Sequence, residues 1–342
     1  MSDERPGQPG RELEPRWLAQ MAHLTTPATV WKYVEGACQR SRAQLVMLDL
    51  EDSIPRDDRA RLEAGRAHVA RAVNELDWGG KLRCFRPRGA ELDPELEDVR
   101  AVVAACGGRL DGLVYPKVES PAEVVRLDAA LAAAERTAGL PEGHIRVELL
   151  IESVRAEEHA FVIAATTPRL AGLVFGAFDY WSSLGMGAVP YRFDHPLLDE
   201  ARRRVVKAAA SVGVPAIAEM TVNYPTRDKS AAEQRAALDE CRRDAHHARD
   251  LGFRGKWTGI PAQVDVVLEV FALAPEVVAR AVELARRYRA AEAAGRGAVM
   301  IDGVMADRAL DRVARTTLAQ AHALGALDDA TARELEIPGR RR

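Results

Sequence analysis

Eight short apolar runs, separated by longer stretches of helix-forming sequence, recur along most of this chain. That alternation constrains the fold more than any other feature. The runs span residues 21–25, 45–50, 81–85, 112–118, 146–151, 171–175, 214–218 and 255–260. Strands that alternate with helices pair in parallel. Eight such units in about 250 residues are the number that closes a (β/α)8 barrel, the TIM barrel. An open doubly wound sheet is the alternative, but no glycine-rich dinucleotide fingerprint follows any early strand.

The intervening segments carry helix signals. Residues 121–134 open with Ser120 as N-cap, Pro121 at the first helical position and Glu123 at the third. Residues 156–165, 197–212 and 231–251 have apolar positions three and four apart. Beyond the eighth run, residues 275–295 read as an amphipathic helix, followed by an apolar segment at 298–305 and a helix at 307–324. The expected organisation is a disordered N-terminal tail (1–15), a catalytic barrel (16–274) and a C-terminal helical extension (275–342), packed on the barrel or on a neighbouring subunit.

Charge and cysteine usage exclude several function classes. Lys and Arg number 48 against 51 Asp and Glu, a net charge of −3. Apart from the arginines at 340–342, like charges do not run in long blocks, so no nucleic-acid-binding face is expected. The four cysteines lack CxxC or metal-ligand spacing and fit a reducing compartment. The N-terminus lacks the apolar core of a signal peptide, and no run is long enough to span a membrane. A cytoplasmic protein without membrane or nucleic-acid partners is the expectation.

In a barrel, chemistry belongs at the carboxyl ends of the strands. There the chain places Asp49, Glu51 and Asp52 after strand 2, Arg83 within strand 3 with Arg86 following, and Lys117 and Glu119 after strand 4. Glu152 follows strand 5, Gly176, Ala177 and Asp179 follow strand 6, and Glu219 follows strand 7. So many charges on one rim require a cation, a ligand or mutual pairing. Glu152 and Asp179 are 27 residues apart, one βα unit, which puts them on adjacent strands. Two carboxylates completed by water and substrate oxygens are the usual protein share of a Mg²⁺ site. The plainer alternative is a helix-capping Asp and a salt-bridged Glu. Arg83 either grips a substrate carboxylate as a planar fork or pairs with Asp49 or Glu51. His144, His159 and His195 lack a ligand partner at sensible spacing, and His246 and His247 read as solvated.

These motifs resemble the citrate lyase β-subunit/malyl-CoA lyase family of the HpcH/HpaI aldolase group. Leu48-Asp49-Leu50-Glu51-Asp52-Ser53 is similar to its LDLED signature, and Asn74-Glu75-Leu76-Asp77-Trp78-Gly79 to the segment before strand 3. Pro116-Lys117-Val118-Glu119-Ser120, Ile151-Glu152-Ser153 and Gly176-Ala177-Phe178-Asp179 with Leu184-Gly185-Met186 follow in order. Leu251-Gly252-Phe253-Arg254-Gly255-Lys256-Trp257 and Asp302-Gly303-Val304-Met305-Ala306-Asp307 complete the resemblance over residues 45–310. It implies a TIM barrel assembled as a homotrimer or homohexamer. It implies Mg²⁺, with Mn²⁺ as substitute, on Glu152 and Asp179, and Arg83 on the substrate carboxylate. Gly176, Ala177, Glu51, Asp52 and Lys117 would contact substrate, and Asp307 would act as acid/base in a neighbouring site. The implied reaction is reversible cleavage of a malyl-, citramalyl- or citryl-CoA thioester to acyl-CoA and a 2-oxo acid, with coenzyme A as part of the substrate.

Four places depart from the family pattern. They are His23-Leu24-Thr25-Thr26-Pro27 for Arg-Ser…Pro-Gly, and Arg83-Cys84-Phe85-Arg86-Pro87 for Arg-x-Asn. Glu219-Met220 replaces Asp-Gly, and Gly259-Ile260-Pro261 replaces Ile-His-Pro. These departures keep three alternatives open: a CoA-independent aldolase, an acyl-CoA thioesterase and a degenerate, non-enzymatic barrel subunit.

Overall fold

A computed structural model of the chain describes residues 13–337. The eight expected runs become eight strands: β1 (Ala22–Pro27), β2 (Leu45–Asp49), β3 (Leu82–Arg86), β4 (Gly112–Tyr115), β5 (Arg146–Ile151), β6 (Leu170–Phe175), β7 (Ala216–Ala218) and β8 (Gly255–Thr258). All neighbours pair in parallel, and β8 returns to β1, so the sheet closes as a (β/α)8 barrel. Closure leaves no strand edge unpaired.

The helices form where capping chemistry and apolar spacing agree. The Ser120 hydroxyl accepts the Glu123 amide and starts the helix Pro121–Thr137. Ser230 and Glu233 cap each other reciprocally at the start of Ala231–Asp250. The single helix expected over 156–165 is instead two pieces, Val154–Glu158 and Ala160–Thr166. His159 lies between them with its Nδ1 against the Arg155 carbonyl. No helix among the described residues is long and apolar enough to cross a membrane.

Inside the barrel, His23 of β1 meets Glu148 of β5, Nδ1 to Oε2 at 3.4 Å. Both are buried, and those strands are not neighbours, so both side chains face the interior. Burial pushes Glu148 up to about 8 and His23 down to about 3. At neutral pH the pair is therefore uncharged, the state that a dry interior favours.

Gln20–Phe271 form one compact unit, the barrel. Leu13–Ala19 and residues 272–337 form a second. In the second unit, helices Pro275–Ala293 and Arg308–Leu324 bury Val278, Ala285, Leu318 and Leu335 in a core of their own. The apolar segment expected at 298–305 is an antiparallel hairpin, β9 (Ala298–Ile301) and β10 (Val304–Asp307). Its turn, Asp302-Gly303, has positive φ at both residues, as a two-residue hairpin loop requires. Of the N-terminal tail expected over 1–15, residues 1–12 lie outside the described residues, and Pro15 opens a short helix, Pro15–Leu18. The arginines at 340–342 also lie outside.

Candidate active site

The carboxyl end of β2 is built around Asp49. Its carboxylate accepts the backbone N–H groups of Glu51 and Ser53, each at 3.0 Å, which turns the chain sharply after the strand. Arg86, at the end of β3, donates Nε–H to Asp49 Oδ1 at 2.7 Å. The β2–β3 register sets Asp49 level with Arg86. Burial alone would raise Asp49, but the Arg86 guanidinium holds it below the ordinary carboxylate range. Glu51 Oε2 lies 2.9 Å from Arg86 Nη1, and Lys117 Nζ donates to Glu51 Oε1 at 2.5 Å. Asp52 stands at the edge, 3.3 Å from Arg86 and 3.4 Å from Lys117. Burial, together with the like charge of Asp52, leaves Glu51 raised despite these two cations.

Lys117 has a left-handed backbone, φ +51°, a conformation that costs a non-glycine residue about 1–2 kcal/mol. The strained turn brings its N–H to Glu152 Oε1 at 2.6 Å while its ammonium reaches back to Glu51. Glu152 is 4% exposed. It packs so closely on Gly176 that a Cβ there would stand 2.5 Å from Glu152 Oε2 and from its Cβ. Any larger residue at 176 would displace the carboxylate. Asp179 sits in the first turn of the helix Ala177–Ser183, which starts directly after β6. Ala177 takes the first helical position, where a backbone N–H has no acceptor within its own helix.

Burial first, then repulsion from Glu51 and Asp179, pushes Glu152 up to about 8. Among the described residues, Asp49, Glu51, Asp52, Glu152 and Asp179 face Arg86 and Lys117, an excess of negative charge that a divalent cation would neutralise. Among the described residues no group of three His, Cys, Asp or Glu side chains is set to hold a metal. A cation on Glu152 and Asp179 would take its remaining ligands from water and substrate, as Mg²⁺ does. Two adjoining cavities open here, of about 350 and 340 Å³. Both are lined by Lys117, Asp179 and Glu91, the first also by Glu152 and the second by Glu51 and Asp52. Those volumes suit a small molecule.

Seven expected residues thus converge: Glu51, Asp52, Lys117, Glu152, Gly176, Ala177 and Asp179. Arg83 does not join them. Its guanidinium donates to the Arg109 carbonyl at 3.2 Å, ahead of β4 and so at the opposite end of the barrel. Residues three apart on a strand face opposite sides, and only Arg86 reaches the carboxyl end. Glu219, expected on the rim, is turned outward and buried against Arg202 of the helix Pro196–Ser211. Asp307 caps the helix Arg308–Leu324 by accepting the Ala309 and Leu310 amides at 2.9 and 3.0 Å. Those hydrogen bonds lower its pKa.

Sequence reasoning missed Trp257. Its Nε1–H donates to Thr25 Oγ1, and its ring faces the Arg86 guanidinium at 5.4 Å. Its place next to the end of β8 was the available signal.

Comparison with known proteins follows the same lines. The model of the HpcH/HpaI aldolase/citrate lyase family matches residues 31–260. The chain is 32% identical over 300 residues to the L-malyl-CoA/beta-methylmalyl-CoA lyase of Cereibacter sphaeroides, covering 84% of this chain and 90% of that protein. A citrate lyase from Burkholderia xenovorans LB400 shares the fold, with a TM-score of 0.72 at 22% identity over 94% of this chain and 99% of that one. The CitE protein of Mycobacterium tuberculosis, solved with magnesium, acetoacetate and coenzyme A, aligns with a TM-score of 0.63 at 25% identity over 90% of this chain and 99% of that one.

Proposed function

The chain belongs to the HpcH/HpaI aldolase/citrate lyase family, and from that membership and the mouth's geometry we propose a Mg²⁺-dependent carbon–carbon lyase working in the cytoplasm. It acts on a 3-hydroxyacyl-CoA of the malyl-CoA type, giving acyl-CoA and a 2-oxo acid, or runs in reverse. Mn²⁺, with the same preference for oxygen ligands, would substitute. The observation that carries the reading is Glu152, buried and raised to about 8 beside Glu51 and Asp179.

Glu152 and Asp179 would hold the cation. When bound, it would polarise the 2-oxo carbonyl and offset negative charge on its oxygen. Arg86, fixed by Asp49 and Glu51, presents its remaining N–H groups to the substrate carboxylate. Lys117 holds Glu51 in place. Glu51, raised by burial, has the proton affinity to take the substrate hydroxyl proton in cleavage.

The experiment for this reading is the pH dependence of Mg²⁺ binding. The ordinary value for Glu152 is 4.5 and its folded value about 8, so between these the site holds a proton that a cation must displace. Mg²⁺ affinity should rise about tenfold per pH unit up to roughly pH 8 and then level off. The folded value is the higher, so Glu152's contribution to stability without metal is full below its unfolded pKa and lost as pH rises to about 8. The thermal midpoint of Glu152→Gln should therefore fall less over that window. Calorimetric titration giving a pH-independent affinity would count against the assignment.

Asp307 is proposed to exchange a proton with the acyl carbon from the second unit of a neighbouring subunit in a homotrimer or homohexamer. For that it must release the two amides it caps. Asp307→Asn should cut turnover by about 10²–10⁴-fold with Mg²⁺ binding retained. Mixed oligomers of Asp307→Asn and Glu152→Gln subunits should recover part of the activity. No recovery after demonstrated subunit exchange would remove the shared site.

A further inference from the structure

The β7–β8 side of the mouth differs in chemistry from the acidic side, and it is where the sequence departs from the Asp-Gly and Ile-His-Pro of the family. Trp257 faces the interior: its ring meets Arg86 of β3, and β3 and β8 are not neighbours in the barrel. Strand alternation carries the same inward direction to residue 259, just past β8. There glycine leaves space that two other side chains fill. A Cβ at Gly259 would stand 2.5 Å from the Tyr224 hydroxyl and 2.7 Å from Met220 Sδ. The Tyr224 hydroxyl donates to Met220 Sδ at 3.0 Å. Glu219 is held by Arg202, and the next residue, Met220, places its Sδ against the Gly259 position. Trp257, Met220 and Tyr224 thus form a wall of rings and thioether.

Three cations on that side, among the described residues, are engaged with partners of their own. Lys256, fully buried, pairs with Asp244 at 2.8 Å and donates to the Glu219 carbonyl. Arg202 is held by Glu219 and Asp199. Lys229 Nζ donates to Asn223 Oδ1 and the Tyr224 carbonyl, each at 2.6 Å.

We propose that the Trp257–Met220–Tyr224 wall selects the 2-oxo acid, favouring a monocarboxylic acid with a short alkyl group over unsubstituted glyoxylate and over the dicarboxylic oxaloacetate. This rests on the function proposed above. A carboxylate held by Arg86 lies beside Trp257, so the substituent on the carbonyl carbon meets the wall. An alkyl group is covered there by ring and thioether, worth roughly fourfold in affinity per CH₂. A second carboxylate would lose its water against the same wall, where Lys256, Arg202 and Lys229 are already engaged with other partners.

The test is calorimetric binding of glyoxylate, pyruvate, 2-oxobutyrate and oxaloacetate to the full chain in saturating Mg²⁺. Pyruvate should bind roughly fourfold tighter than glyoxylate and tighter than oxaloacetate. Met220→Lys, at a half-buried position, brings an ammonium to the wall and should shift the oxaloacetate-to-pyruvate ratio by about tenfold toward oxaloacetate. Gly259→Ala pushes Tyr224 and Met220 into the mouth and should weaken 2-oxobutyrate more than glyoxylate. Oxaloacetate binding as tightly as pyruvate to the unaltered chain overturns the assignment. So does an unchanged ratio in folded Met220→Lys, or equal losses for both acids in Gly259→Ala. Absence of Mg²⁺-dependent binding by all four acids would instead overturn the proposed function, and the selection with it.

Discussion

Glu152→Gln lowers turnover by about 10³-fold or more and weakens Mg²⁺ binding, and Asp179→Asn does the same. Each replacement removes one of the two protein charges assigned to a hard cation. One well-placed group opposite a developing oxyanion is worth about 10²–10³-fold, and here the cation is lost with it. Glutamine preserves the size of Glu152 and can accept the Lys117 amide that now reaches Oε1. Without metal the Glu152 carboxyl is largely neutral below pH 8, so the neutral amide should fold as well as the parent. Steady-state kinetics with a thermal melt separate the two effects. Near-parental turnover in both variants would remove the metal pair from the mechanism.

Arg86→Lys should lower kcat/KM by about 10²-fold, while Arg83→Lys changes it little. Lysine keeps the charge but loses the planar fork that meets Asp49 and Glu51 and would meet a substrate carboxylate. Arg86 is 4% exposed among three carboxylates, so its replacement should also cost stability. Raising substrate concentration should restore part of the rate of a folded variant, and a purely structural arginine would show no such response. Among the described residues the Arg83 guanidinium donates to a carbonyl at an exposed edge, and its replacement serves as the control. A reversed ranking of the two variants would return the carboxylate to Arg83.

The difference between these arginines marks where sequence reading stops. The alternation of short apolar runs with helix-forming stretches located all eight strands, and the capping residues Ser120 and Ser230 start their helices by local chemistry. Glu152 and Asp179 were legible because strand order in a barrel follows chain order. Which residue of a strand faces inward at its end depends on register, and register is set by pairing with neighbours. Asp49 lies level with Arg86 rather than Arg83 for that reason. Glu219 turns outward because Arg202 on a packed helix holds it, a contact that no local pattern encodes. The packing of Tyr224 and Met220 over Gly259 joins segments 35 or more residues apart and was equally hidden. The division of the chain after Phe271 lies close to the end of the alternating pattern, where the barrel runs out of strands.

The most direct measurement is the mass-resolved product set from a malyl-type 3-hydroxyacyl-CoA incubated with the full chain, in Mg²⁺ and in excess chelator. With Mg²⁺, acyl-CoA and 2-oxo acid should appear together in equal amounts, and chelator should stop both. Free coenzyme A with intact hydroxy acid, or cleavage that continues unchanged in chelator, would contradict a carbon–carbon lyase built on Glu152 and Asp179.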